Sequence, residues 1–178
     1  GVHNLWNAAM AVGVAVALGL DAEQAVAALA DYRGPAGRLN WVPAAKGLNL
    51  IDDTYNANPE SARAALRTLV ELADSSKTVA VLGDMLELGE SASVLHQEVG
   101  EYAADIGVDV LLAQGQFAAD TVSGFGPGGV VVPGHIEAAQ HVQRVTNAGD
   151  WVLVKGSRSL HMERVVEALK PSKSGGDA

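Results

Sequence analysis

The sequence predicts an α/β domain: a Rossmann-like, mostly parallel sheet with helices on both faces and an antiparallel edge hairpin, preceded by a helical segment. Three observations carry this. Between residues 78 and 154, short apolar runs with little polar alternation recur, as expected of parallel strands covered on both faces. Helix-period patterns separate them, and that alternation implies a doubly wound sheet. At 178 residues, 48% apolar and 19% charged, the chain can bury a core and is not globally disordered.

Residues 4–18 read as a helix that is apolar on nearly every face, a pattern normally buried on more than one side. Gly19 ends it, and Asp21 with Gln24 has the capping-box spacing that opens a second helix to about Ala30. This pair lacks a strand, and the chain starts inside a helical pattern without Met. Residues 1–33 are therefore expected to belong to an upstream domain of a longer protein, with a second domain over 34–170 and a disordered tail over 171–178. His3, Asn4 and Asn7 share one face at the first helix N-terminus, where free N–H groups suit phosphate or a nucleotide; capping by Asn4 accounts for part of that signal.

The Gly/Pro-rich stretch 32–38 forms the domain connection, and Arg38 at its end carries a fork of donors suited to phosphate. Residues 39–42 and 48–51 then pair as a hairpin around Pro43 and Gly47.

Residues 52–61, Asp-Asp-Thr-Tyr-Asn-Ala-Asn-Pro-Glu-Ser, form a strand-to-helix turn, because an apolar run precedes them and Ala62, Ala65, Leu66, Leu69, Val70 and Ala73 follow at helical spacing. Asn58 as N-cap and Pro59 as first helical residue are explained by that turn. Asp52, Asp53, Tyr55 and Asn56 are more than a turn needs. They crowd the carboxyl end of a strand, where open α/β sheets bind ligands.

Strands follow at 78–82, 108–113, 130–132 and 151–154, with helices at about 92–106, 116–122, 136–146 and 160–169. Two strand ends carry unusual residues: Gly83-Asp84-Met85-Leu86-Glu87-Leu88-Gly89, and Lys155-Gly156-Ser157-Arg158-Ser159. The second sets two cations and two hydroxyls before a helix, which suits a carboxylate or phosphate. Residues 121–129, with four glycines, read as a mobile loop.

Composition excludes several classes. A net charge of −9 and no basic run disfavour nucleic acid and anionic membranes, and the apolar run 8–18 is too short to span a bilayer. Without cysteine there are no disulfides or thiolate metal sites, which fits a cytoplasmic protein. His96, His135, His141 and His161 share no metal-ligand spacing and read as surface or helix residues; no metal site is expected here. There is no G-x-x-x-x-G-K-[ST] phosphate loop, no G-x-G-x-x-G after a strand and no nucleophile elbow.

His3-Asn4-x-x-Asn7-Ala8, then Gly37-Arg38, then Asp52-Asp53-Thr54-Tyr55-Asn56-Ala57-Asn58-Pro59 resemble, in order and spacing, the end of the central ATPase domain and the start of the carboxy-terminal domain of the Mur ligases. Within the family, the 54–59, 82–89 and 154–159 stretches look most like the branch that joins D-alanyl-D-alanine to UDP-N-acetylmuramoyl-tripeptide. The resemblance covers residues 1 to about 170. It implies an ATP-dependent, cytoplasmic, monomeric amide ligase of cell-wall precursor synthesis working through an acyl phosphate. The phosphate loop and magnesium ligands would lie in the missing part, leaving this chain folded but inactive alone.

By the same resemblance, His3, Asn4, Asn7, Arg38, Asp53, Tyr55 and Asn56 would contact ATP. Asn58, Asp84, Lys155, Ser157 and Arg158 would face the cleft and hold the dipeptide or the growing peptide. No catalytic residue is assigned within the chain. Two other readings stand beside this one: a sibling amide ligase, either another Mur enzyme or a folylpolyglutamate synthetase, and a non-catalytic Rossmann-like binding module.

Overall fold

In the computed structural model, the structure describes residues 2–30, 32 and 34–171, with the side chains of residues 2–4 outside the description. The expected tail, 171–178, falls outside it beyond Pro171, as does Arg33 in the connection. The chain divides into two units, Gly1–Pro35 and Ala36–Ala178, two residues beyond the boundary expected between 33 and 34.

The first unit holds α1 (Val2–Ala17) and α2 (Ala22–Ala30). Asp21 caps α2, its Oδ1 accepting the Gln24 N–H at 3.0 Å, as the spacing required. Leu5, Trp6, Met10 and Val14 of α1 are all more than 60% exposed, so the apolar faces read as buried are uncovered here.

The second unit is a six-stranded sheet in the order β1-β2-β6-β3-β4-β5, made of β1 (Asn40–Pro43), β2 (Asn49–Asp53), β3 (Thr78–Gly83), β4 (Val110–Gln114), β5 (Gly129–Val131) and β6 (Trp151–Lys155). The β1–β2 edge pair is antiparallel and all other pairs are parallel. One face packs on α3 (Pro59–Ala73), α4 (Ala92–Asp105) and α5 (Ala118–Phe125), the other on α6 (His135–Val145) and α7 (Glu163–Leu169). Alternation along β3 shows the two-sided burial: Ala80 and Leu82 join the first core, Val79 and Val81 the second. Leu66 and Leu69 of α3 are completely buried, a stabilisation of about 2–3 kcal/mol each.

Two expectations change. The 121–129 segment is not a loop throughout, because α5 continues to Phe125. Its glycine and Gly100 of α4 permit close helix contact: a Cβ on Gly124 would lie 2.0 Å from the Gln97 carbonyl oxygen, and one on Gly100 equally near that of Thr121. The last helix begins at Glu163 rather than 160, since a 3-10 turn (Arg158–Leu160) ends in left-handed His161, φ 50°.

The order places β6 between β2 and β3. The loops after β2, β6 and β3 therefore emerge side by side at the carboxyl edge of the sheet.

Candidate functional site at the carboxyl edge of the sheet

The turn after β2 is built from its own side chains. Asn58 Oδ1 accepts the Ser61 N–H at 2.8 Å while Ser61 Oγ accepts the Asn58 N–H at 3.1 Å, a reciprocal cap on α3, with Pro59 at the first position. Asp52 Oδ1 accepts from the Thr54 N–H and hydroxyl, folding the chain back after the strand. The Tyr55 N–H donates to the Gly37 carbonyl at 2.9 Å, tying the start of the hairpin to the turn. Arg38 lies over the Tyr55 ring at 4.2 Å from its centroid. Arg38, Tyr55 and Asn56 are exposed together.

Asp53 sits beneath them, 8% exposed. Its Oδ2 accepts from Lys155 Nζ at 2.7 Å and its Oδ1 from the Leu39 N–H at 3.0 Å. The latter bond holds Leu39 left-handed, φ 51°, next to Arg38. Lys155 also donates to the Asn56 carbonyl at 2.8 Å. Burial pushes the Asp53 carboxyl up, and Lys155 together with the Leu39 N–H pulls it only partly back.

Asp84, Lys155 and Ser157, read from sequence as facing a cleft, are 4%, 3% and 3% exposed. The Asp84 carboxylate accepts the N–H groups of Gln116 at 2.7 Å and Phe117 at 3.0 Å, clamping the turn after β4. That turn requires Gly115: at φ +119°, a Cβ would lie 2.4 Å from the carboxylate. Ser157 donates its N–H to the Asp84 carbonyl and accepts the Leu86 N–H on its hydroxyl. These groups knit strand ends together, since a buried polar atom that lacks a partner is costly in a low dielectric. Arg158, by contrast, projects outward with its side chain 64% exposed and a 3.5 Å approach to Glu163.

His96 of α4 was read as a surface or helix residue, and it is 2% exposed at this junction, its Nε2 accepting the Met85 N–H at 2.8 Å. One signal could have found it: His96 continues the buried stripe of Ala92, Val99 and Ala103 at helical spacing.

The space under the loops, between Ala57, Met85, His96 and Lys155, is about 10 Å³, room for one water. That space is too small for a nucleotide or a peptide, and the exposed side chains at this edge include Arg38, Tyr55 and Asn56. In the first unit, Asn7 is exposed on α1, while the side chains of His3 and Asn4 are outside the described residues. Among the described residues there is no group of three or more His, Asp or Glu that could hold a metal, and no helix long and apolar enough to cross a membrane.

Residues 37–158 match the family described as Mur ligase, glutamate ligase domain. The UDP-N-acetylmuramoyl-tripeptide–D-alanyl-D-alanine ligase of Escherichia coli strain K12 is 36% identical over 175 residues, 96% of this chain and 37% of the relative. Among solved structures, MurF from Acinetobacter baumannii superposes with a TM-score of 0.84 at 36% identity, over 95% of this chain and 38% of that one. A MurF ligase from Thermotoga maritima, solved in complex with ADP, gives a TM-score of 0.77 at 30% identity, over 89% and 35%. The chain thus spans well under half the length of these relatives.

Proposed function

The chain belongs to the Mur ligase family, and from that premise we propose that it is the carboxy-terminal part of an ATP-dependent ligase joining D-alanyl-D-alanine to UDP-N-acetylmuramoyl-tripeptide in peptidoglycan precursor synthesis. The observation that carries this reading is the exposed Arg38–Tyr55 pair, pinned by the Gly37 carbonyl on one side and by Asp53 through Leu39 on the other. In an acidic chain it offers a fixed cation beside an aromatic face, the chemistry that meets a nucleotide.

In the reaction, a carboxylate oxygen of the tripeptide attacks the γ-phosphorus of ATP and ADP leaves. The amine of the dipeptide then attacks the acyl carbon, phosphate departs and the amine proton passes to solvent or a nearby base. Catalysis of such steps rests on placement and on charge set against the phosphoryl oxygens. Arg38 supplies that charge from the second unit, with Tyr55 and Asn56 beside it on the nucleotide-facing surface; His3, Asn4 and Asn7 of the first unit are assigned to ATP by the family resemblance alone. Asp53 accepts from Lys155 on one oxygen and from the Leu39 N–H on the other, which holds Lys155 and the Arg38 segment in place, and each oxygen keeps a second lone pair that a ribose hydroxyl could use. Asn58 and Arg158, both exposed, face the peptide substrates, with Asp84, Lys155 and Ser157 as the frame beneath.

By the family resemblance, the ion accompanying ATP is assigned to the rest of the polypeptide. The enzyme is a cytoplasmic monomer in this reading, and the chain alone is inactive.

The test is phosphate release by the parent polypeptide with ATP, magnesium and the UDP-linked tripeptide. Release that depends on D-alanyl-D-alanine supports the assignment. Release with a single amino acid points instead to a sibling ligase, and no release with any acceptor leaves a binding module.

A further inference from the structure

The ring of His96 has both nitrogens committed. The Met85 backbone nitrogen can only donate, so Nε2, at 2.8 Å, is an acceptor and carries no proton. The Ala92 carbonyl can only accept, so Nδ1, at 2.6 Å, carries the hydrogen. The imidazole is therefore neutral and in one tautomer. Its face stacks on Phe117 with centroids 4.8 Å apart, and Asp84 Oδ1 lies 4.0 Å from Nε2. The other charged group beside the same small cavity is Lys155, already paired with Asp53.

One side chain thus joins three elements: the first turn of α4, the loop leaving β3 and the turn leaving β4. The loop is also anchored through the Asp84 carboxylate and carbonyl, and the Met85 N–H is the donor that His96 satisfies. Beyond Met85, the Leu86 N–H is held by Ser157, and then Leu86 is exposed and Glu87 takes a left-handed φ of 63°. Releasing the Met85 N–H would leave a buried donor unpaired and free the loop to shift.

We propose that His96 is a positioning residue, fixing the Asp84–Leu86 backbone, and the exposed lip of Leu86 and Glu87 beyond it, for the dipeptide acceptor. The acceptor role rests on the proposed function. The hydrogen bond itself does not.

The first arm of the test is nitrogen NMR on the wild-type chain. The expected result is a scalar coupling between the Met85 amide nitrogen and His96 Nε2, with Nε2 unprotonated. A protonated Nε2 or an absent coupling overturns the proposal without touching the ligase reading.

The second arm compares the parent polypeptide with His96→Leu and His96→Gln, since glutamine can present an acceptor oxygen near the position of Nε2. His96→Leu should raise the KM for D-alanyl-D-alanine on the order of tenfold while the KM for ATP stays within about twofold, and His96→Gln should recover most of the loss. Equal changes in both KM values, or no recovery with glutamine, reduce His96 to a packing residue and overturn the positioning role. Wild-type turnover that ignores the dipeptide overturns the ligase reading and the acceptor role together, and the coupling still tests the hydrogen bond.

Discussion

Lys155 Nζ lies 2.7 Å from Asp53 Oδ2, and the two residues are register partners on the adjacent parallel strands β2 and β6. With side chains 3% and 11% exposed, neither charge is held by water. The pair joins the hairpin side of the sheet to its centre directly beneath Arg38 and Tyr55.

Breaking the pair from the lysine side should be costly. Lys155→Met leaves a buried carboxylate without its cation and should lower stability by about 3 kcal/mol in urea unfolding. Adding Asp53→Leu should recover part of that, and the two single effects should not sum to the double. Additive effects would show that the ion pair contributes nothing of its own.

The pH dependence follows from the direction of the Asp53 shift. Burial lifts this carboxyl above its ordinary 3.8, so the folded chain keeps the proton where the unfolded chain has lost it. The stability contributed is complete below the unfolded value and is lost as pH rises through the folded one. Compared with Asp53→Asn, the wild type should gain stability as pH falls from 7 through this range. A relative loss on acidification would mean that Lys155 wins over burial.

Gly115→Ala sets a methyl group against the Asp84 carboxylate at 2.4 Å and at a left-handed φ. The expected cost is about 2 kcal/mol, a fall in the thermal midpoint of about 5 °C. An unchanged midpoint would show that the turn after β4 moves freely from Asp84.

Asn58→Ala removes the cap of α3 and should cost about 1 kcal/mol in denaturant unfolding, with Asn58→Gly costing a few tenths. If Asn58 also meets the peptide substrate, Asn58→Gly will raise the acceptor KM despite its near-normal stability. An unchanged KM confines the residue to capping.

Arg38→Ala in the parent polypeptide should raise the KM for ATP about tenfold and lower turnover while leaving the thermal midpoint unchanged, because the side chain is exposed. Arg38→Lys should recover little, since an ammonium cannot reproduce the fork. Unaltered kinetics would remove Arg38 from the site.

Much of the architecture was legible because it is written in local pattern. Two-sided apolar runs announce parallel strands, and the stripe from Ala62 to Ala73 announces α3. The Asn58-Pro59 start could be read to the residue because a cap acts over only three positions. The 121–129 segment misled because glycine signals a loop by its own freedom, whereas here it serves a helix contact with Gln97, far away in sequence.

The sequence by itself determined the alternation of elements, the strand-end stretches that carry polar residues and the family to which they belong. Only the tertiary structure decided which of those residues face outward. Asp53 and Lys155 are 102 positions apart and Leu86 and Ser157 are 71 apart, so no local pattern reports that they meet. The insertion of β6 between β2 and β3 brings them together, and burial then commits their polar atoms to one another. Arg38, Tyr55 and Asn56 stay exposed while the Asp53–Lys155 pair beside them is buried, a division set by how the strand ends come together.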